Sequence, residues 1–283
     1  HESERTEGTT STSRGDGRST VRFGPQSGPR YENRSMSAPH LIHITDLANP
    51  RFPLPIRALN SVGASLVRRL NRLEPDELLD AARPRTGLEN YGDDSFQEPF
   101  RVLLRALEEE ARLSALGRIA TRGLILQLLT NRLLIEDLIA RNPEIDDEVI
   151  REPLVIVGLP RTGSTMLHRT IAADPTVLSL RWWESRHPAP FESASGLGDA
   201  ERIAAAEAEV AAIVENAPEL VAAHPLDAHA PDEEIMLLEH AFISGNPEAF
   251  CNVPEFARWL EGHDARPGYL YLDRKSTRLN SSH

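Results

Sequence analysis

A short apolar run, Pro153-Leu154-Val155-Ile156-Val157, stops at Gly158-Leu159-Pro160-Arg161-Thr162-Gly163-Ser164-Thr165, and a helical pattern starts there. No other stretch restricts the fold as much. The run is β-branched and has no polar alternation, which predicts a strand buried on both faces, as in a parallel sheet. Two glycines five apart let the backbone fold back and turn its N–H groups inward. The helix that follows adds the positive end of its dipole, and Ser164 and Thr165 add hydroxyl donors. Together these features predict a cradle for a phosphate-like anion.

The spacing fits the phosphate-loop pattern G-x-x-x-x-G-K-[ST] except at Ser164, where the lysine would stand. The cation is instead Arg161, inside the loop. That departure counts against an ordinary ATPase or GTPase, though a nucleotide-dependent kinase remains an alternative. The plain alternative is a glycine-rich turn joining a strand to a helix. It leaves the joint placement of Pro160, Arg161, Ser164 and Thr165 without a reason.

Composition limits what such a site can serve. The 283 residues carry 43 acidic and 31 basic side chains, a formal charge of −12, with 40% apolar residues. This is a globular composition. The acid excess argues against a general nucleic-acid or anionic-membrane binder, without forbidding a local anion site. One cysteine, Cys251, excludes an internal disulfide framework and a cysteine-rich zinc site. No apolar run is long enough to span a membrane; the nearest, Leu124–Ile135, is interrupted by Gln127, Thr130, Asn131 and Arg132. With no apolar leader at the start, a cytoplasmic location is the expectation.

The chain divides into four parts. Residues 1–35 hold Val21, Phe23 and Tyr31 as their large apolar side chains and read as disordered, with Met36 as the natural start. Residues 36–150 read as mostly helical: helices are expected over Pro53–Leu73, from Pro75, over Pro99–Ser114 and over Leu116–Arg141, with a loop at 84–96. Residues 151–273 carry the strand, the loop, a helix from Ser164 to Ala173 and a second short strand at Val177–Leu180. Helices follow over Asp199–Asn216, Asp232–Ser244 and Pro254–Gly262. The last ten residues, 274–283, break the chain's bias: Lys275 is its single lysine, against thirty arginines. They read as foreign, which implies a native chain that continues past Asp273. The fold class expected is α/β, a P-loop-like parallel sheet flanked by helices, with a helical N-terminal region.

Pro160-Arg161-Thr162-Gly163-Ser164-Thr165 resembles the 5′-phosphosulfate-binding loop of sulfotransferases. Downstream, Asp174-Pro175, Trp183-Glu184, Pro188-Ala189-Pro190, His224-Pro225, Pro231-Asp232-Glu233-Glu234, Val253-Pro254, Trp259-Leu260 and Tyr269-Leu270-Tyr271 resemble, in order, a bacterial family of these enzymes. The likeness runs over roughly 41–272 and is strongest from Pro153.

The resemblance implies transfer of a sulfuryl group from 3′-phosphoadenosine-5′-phosphosulfate (PAPS) to a hydroxyl or amine of a small acceptor, without a metal. Arg161 would contact the 5′-phosphate and the sulfonate. Thr162, Gly163, Ser164 and Thr165, after Pro160, would hold the 5′-phosphate. It also implies an Arg and a Ser for the 3′-phosphate beyond Tyr271, where the foreign tail stands. On that reading this chain binds PAPS weakly or not at all, and a non-catalytic member is a further alternative. Neither the acceptor nor the oligomeric state is legible.

A general base suits a histidine or carboxylate. His224, at a junction between helices, is one candidate; a capping or structural histidine is the alternative. Glu184, after two tryptophans, is the second, or else an ordinary helix-start carboxylate. Glu233 and Glu234 are weaker, since acids at a helix start favour the dipole without further role. His224 and His229 with Asp227 and Asp232 lack metal-ligand spacing, and Pro225 breaks the helix between them. His168 reads as locally packed, and Cys251 as a small buried hydrophobe. Trp182, Trp183 and Phe191 read as core or as an apolar acceptor pocket.

Overall fold

The apolar stripes of the N-terminal half fold as their spacing predicts. In the computed structural model, which describes residues 52–147, 149–150, 152–159, 162–191, 199–218, 220 and 224–281, helices α1 (Leu54–Val62) and α2 (Ala64–Leu70) break the predicted 53–73 helix at Gly63. There follow α3 (Pro75–Ala82), α4 (Gln97–Glu109) and the 27-residue α5 (Ala115–Arg141). Ser114 starts α5 by accepting a hydrogen bond from the Gly117 N–H, and Asn142-Pro143 ends it. Residues 1–51, Pro160 and Arg161 lie outside the described residues. All the described residues belong to one unit, 42–283.

The main core joins α3, α4 and α5 to the later segment around Phe242, Val253 and Phe256. Phe100 and Phe242 have ring centroids 4.7 Å apart, and Phe96 lies 6.2–6.3 Å from both. Such pairs add about 1 kcal/mol each beyond their buried area.

The polar residues that interrupt α5 are what docks the rest of the chain. Arg132 is fully buried: Nε donates to Tyr91 O at 2.6 Å, Nη1 to His240 O at 3.2 Å and Nη2 to Asp93 O at 3.3 Å. Its guanidinium lies 4.2 Å from both the Phe96 and Tyr271 ring centroids. Next to it Asn131 Nδ2 donates to Arg186 O at 2.7 Å, and about a turn earlier Gln127 Nε2 donates to Glu209 at 2.8 Å. Charge-assisted donors meeting carbonyls in a dry interior specify one docking register.

The predicted α/β parallel sheet is a correction. Among the described residues there is no strand and no sheet, and the one β-bridge is the isolated antiparallel contact between Arg181 and Pro231. Residues 153–159 form irregular backbone, with Leu154 71%, Val155 68% and Val157 89% exposed. The physical reason is that a parallel strand needs hydrogen-bonded neighbours on its edges and helices on its faces. The described residues supply neither to this run. Val177–Leu180 also forms no strand.

The second half is otherwise helical: α6 (Ser164–Ile171), α7 (Trp182–Arg186), α8 (Ala200–Asn216), α9 (Ile235–Leu238), α10 (Asn246–Phe250), α11 (Pro254–Gly262) and α12 (Arg266–Ser281). The predicted Asp232–Ser244 helix shrinks to α9 and a 3-10 turn at Glu239–Ala241, because Phe242 turns left-handed at φ 55°.

Candidate functional site

The loop is described from Thr162 onward. Gly163 has φ +91°, a left-handed conformation that L side chains rarely adopt, so glycine is required there. The Thr162 hydroxyl donates to Leu159 O at 2.6 Å and closes the turn. It sits 3.0 Å from where a Gly158 side chain would begin, so a larger residue at 158 would press on it. Gly163 is the N-cap of α6, and no side chain caps it. The first-turn N–H groups therefore remain available to an anion at the positive end of the helix. Gly163, Ser164 and Thr165 thus open a helix whose first turn no side chain caps.

Facing α6 is a segment fixed by backbone pairing. The Trp182 N–H donates to Ala230 O and the Trp183 N–H to Ala228 O, both at 3.0 Å. The Asp232 N–H donates to Leu180 O at 2.9 Å. This holds 228–233 against 180–183 and delivers two carboxylates. The Thr165 hydroxyl donates to Glu233 Oε1 at 3.1 Å. Farther along α6, Arg169 Nη2 donates to Pro225 O at 2.9 Å, which ties the His224-Pro225 corner to the same helix. His224 Nε2 lies 3.8 Å from Asp232 Oδ2, an ion-pair distance longer than a hydrogen bond. Interaction with Asp232 raises the His224 pKa; burial and Arg169 act against it, and Glu233 adds to it.

The structure therefore brings Thr165, Glu233, Asp232 and His224 into one cluster. Sequence reasoning named Asp232 only as part of a motif and a rejected metal set. No local signal pairs it with His224, because seven residues of non-helical chain separate them.

Glu184 is occupied differently. It is buried, and its carboxylate accepts from the Arg181 backbone N–H at 2.7 Å, closing a capping box on its own short helix. Trp182 and Trp183 pack with Ala206, Val210 and Ala228 in a core cluster. The Phe191 ring meets His187 edge-on at 5.1 Å. Nearby, burial would raise the Glu209 carboxyl, but hydrogen bonding with His187 and the charge of Arg186 outweigh it and hold the pKa at about 2. His229 pairs with Glu207 at 2.9 Å. Burial pushes the half-buried Cys251 thiol up.

Among the described residues no three His, Cys, Asp or Glu side chains group as a metal site. No described helix is long and apolar enough to cross a membrane. Two grooves, of about 300 and 340 Å³, lie around Arg68, Glu108 and Arg118 on the N-terminal helices and contain no loop residue. Both are lined by ion-paired arginines, so the loop geometry, not groove size, marks the candidate site.

Residues 153–276 match the sulfotransferase family. Two solved structures are similar. The sulfotransferase STF1 from Mycobacterium tuberculosis H37Rv is 30% identical, with a TM-score of 0.62 over 71% of this chain and 56% of its own. The sulfotransferase STF9 from Mycobacterium avium is 27% identical, with a TM-score of 0.63 over 73% of this chain and 53% of its own. The chain thus spans little more than half the length of either. No curated protein sequence matches it.

Proposed function

We propose that this chain, a relative of the bacterial sulfotransferases, carries the loop that holds the 5′-phosphosulfate end of PAPS in an enzyme sulfating a small hydroxylated acceptor. The observation that carries this reading is the left-handed Gly163 opening an uncapped helix inside the segment that matches the family. A dianionic 5′-phosphate suits that end: backbone N–H groups point to it, and the dipole favours negative charge.

In the proposed reaction the acceptor oxygen attacks sulfur. A new O–S bond forms, the bond from sulfur to the 5′-phosphate oxygen breaks, and adenosine 3′,5′-bisphosphate leaves. Negative charge grows on the leaving phosphate. Arg161 and the N–H groups of Thr162–Thr165 would stabilise that charge, which is mainly positioning and electrostatics. The acceptor's proton would pass to His224, the candidate base that α6 holds through Arg169 and Pro225. Glu184 caps its own helix, so His224 is the better-placed base. The four-part division of the chain, a cytoplasmic location and the absence of any metal requirement belong to the same proposal.

The test is transfer of labelled sulfuryl from PAPS to a panel of phenols, sterols, lipids and sugars. Transfer lost on Arg161→Ala supports the reading. Transfer unaffected by Arg161→Ala and by Gly163→Val would remove the loop from the mechanism.

A further inference from the structure

We propose that Asp232 is the positioning residue for His224: its carboxylate faces Nε2 and leaves Nδ1 to take the acceptor's proton. The inference rests on the sulfotransferase reading for the reaction, but the pairing itself stands on geometry.

Asp232 is a carboxylate at 7% side-chain exposure, whereas His224 is 40% exposed. A buried charge needs partners. Both ends of Asp232 are fixed. Its N–H donates to Leu180 O at 2.9 Å, and its Oδ1 accepts the Glu233 N–H at 2.7 Å. That leaves Oδ2, which faces His224 Nε2 at 3.8 Å. The corner bearing His224 is held from two sides, by the His224 N–H to Leu220 O at 2.8 Å and by Arg169 to Pro225 O. A half-exposed imidazole with one nitrogen turned to a fixed carboxylate has its tautomer chosen for it. The other nitrogen, which bonds no described residue, is left as an acceptor. In catalytic pairs such a contact is often long before substrate arrives and shortens as the ring takes a proton.

The charged groups facing His224 are Asp232, Glu233 and Arg169. Asp232 and Glu233 favour the imidazolium and Arg169 opposes it. Replacing the Asp232 carboxylate therefore lowers the histidine's pKa. If His224 is the base, the acid limb of the rate profile moves to lower pH while the rate falls, because the ring is no longer held in place.

The experiment is nitrogen-15 NMR of the full chain, with His224 assigned by His224→Gln. The proposal expects the neutral ring to carry its proton on Nε2. It also expects Asp232→Asn to lower the His224 pKa, with partial recovery in Asp232→Glu. An Nδ1–H tautomer in the unaltered protein overturns the pairing without needing any variant to fold. So does an unchanged pKa in a folded Asp232→Asn. Sulfuryl transfer from PAPS is read in parallel. Transfer with a normal His224 pKa in Asp232→Asn overturns this inference and leaves the sulfotransferase reading intact. The expected tautomer without transfer to any acceptor upholds the pairing and overturns its role in that reaction.

Discussion

The hydroxyl of Thr165, the second residue of α6, donates to Glu233 Oε1 at 3.1 Å. A hydroxyl has one proton, so this bond and a bond from Thr165 to a donor phosphate are alternatives. The carboxylate also sits beside the place where an anion would bind. Glu233→Gln keeps an acceptor for Thr165 but removes the charge. It should tighten PAPS binding by about three- to tenfold, the scale of about 1 kcal/mol for a nearby like charge. Titration of both proteins with PAPS at two salt concentrations checks this, and the gain should shrink at the higher salt.

Gly163→Ala places a Cβ at φ +91°. The cost is about 1–2 kcal/mol locally, relieved if the loop turns to negative φ and the first-turn N–H groups move. The expected result is loss of PAPS binding with helix content unchanged by circular dichroism. The core lies elsewhere, in α3–α5 and around Phe242.

Much of this was legible in the sequence. The helices at 75–82, 97–109, 115–141, 200–216 and 254–262 follow apolar spacing and, at Pro75, Ser114 and Pro254, start signals that act locally. The loop is legible for the same reason, since Gly163 and its helix are a local device. The strand expected at 153–157 does not form. Its β-branched run carries a strand's composition, but a ladder is made by partners, and a run cannot specify them alone. Asp232 was hidden for a related reason. An acid just before a helix already has an explanation in the dipole, and its pairing with His224 depends on how 228–232 docks on 180–183. Gln127, Asn131 and Arg132 looked like interruptions of an apolar helix and are instead its docking contacts.

The Glu209 carboxyl is held at about 2 in the folded state, below its ordinary value of 4.5. A depressed carboxyl contributes stability above its unfolded pKa and loses it as pH falls toward the folded pKa. The contribution is about 3 kcal/mol at neutral pH, lost between roughly pH 5 and pH 2. Glu209→Gln should be destabilised by a similar amount at pH 7 and lose less stability than the unaltered chain on acidification. Urea unfolding at pH 7, 5 and 3.5 measures both.

Removing the Arg132 guanidinium strips the buried carbonyls of Tyr91 and His240, and the partly buried one of Asp93, of a charged donor. Arg132→Met keeps much of the side chain's bulk but none of its donors. It should cost about 3 kcal/mol or more, seen as a lower urea midpoint. Arg132→Lys should recover only part of this, because an ammonium cannot reproduce the planar fork.

The most direct test of the central claim follows the backbone amides of the loop during a PAPS titration, by two-dimensional NMR of the nitrogen-15-labelled chain, which reads weak binding as readily as strong. The account predicts saturable shifts concentrated at Thr162, Gly163, Ser164 and Thr165, and lost in Arg161→Ala. Shifts that spare these four residues, or that gather at Arg68 and Arg118 instead, would contradict it.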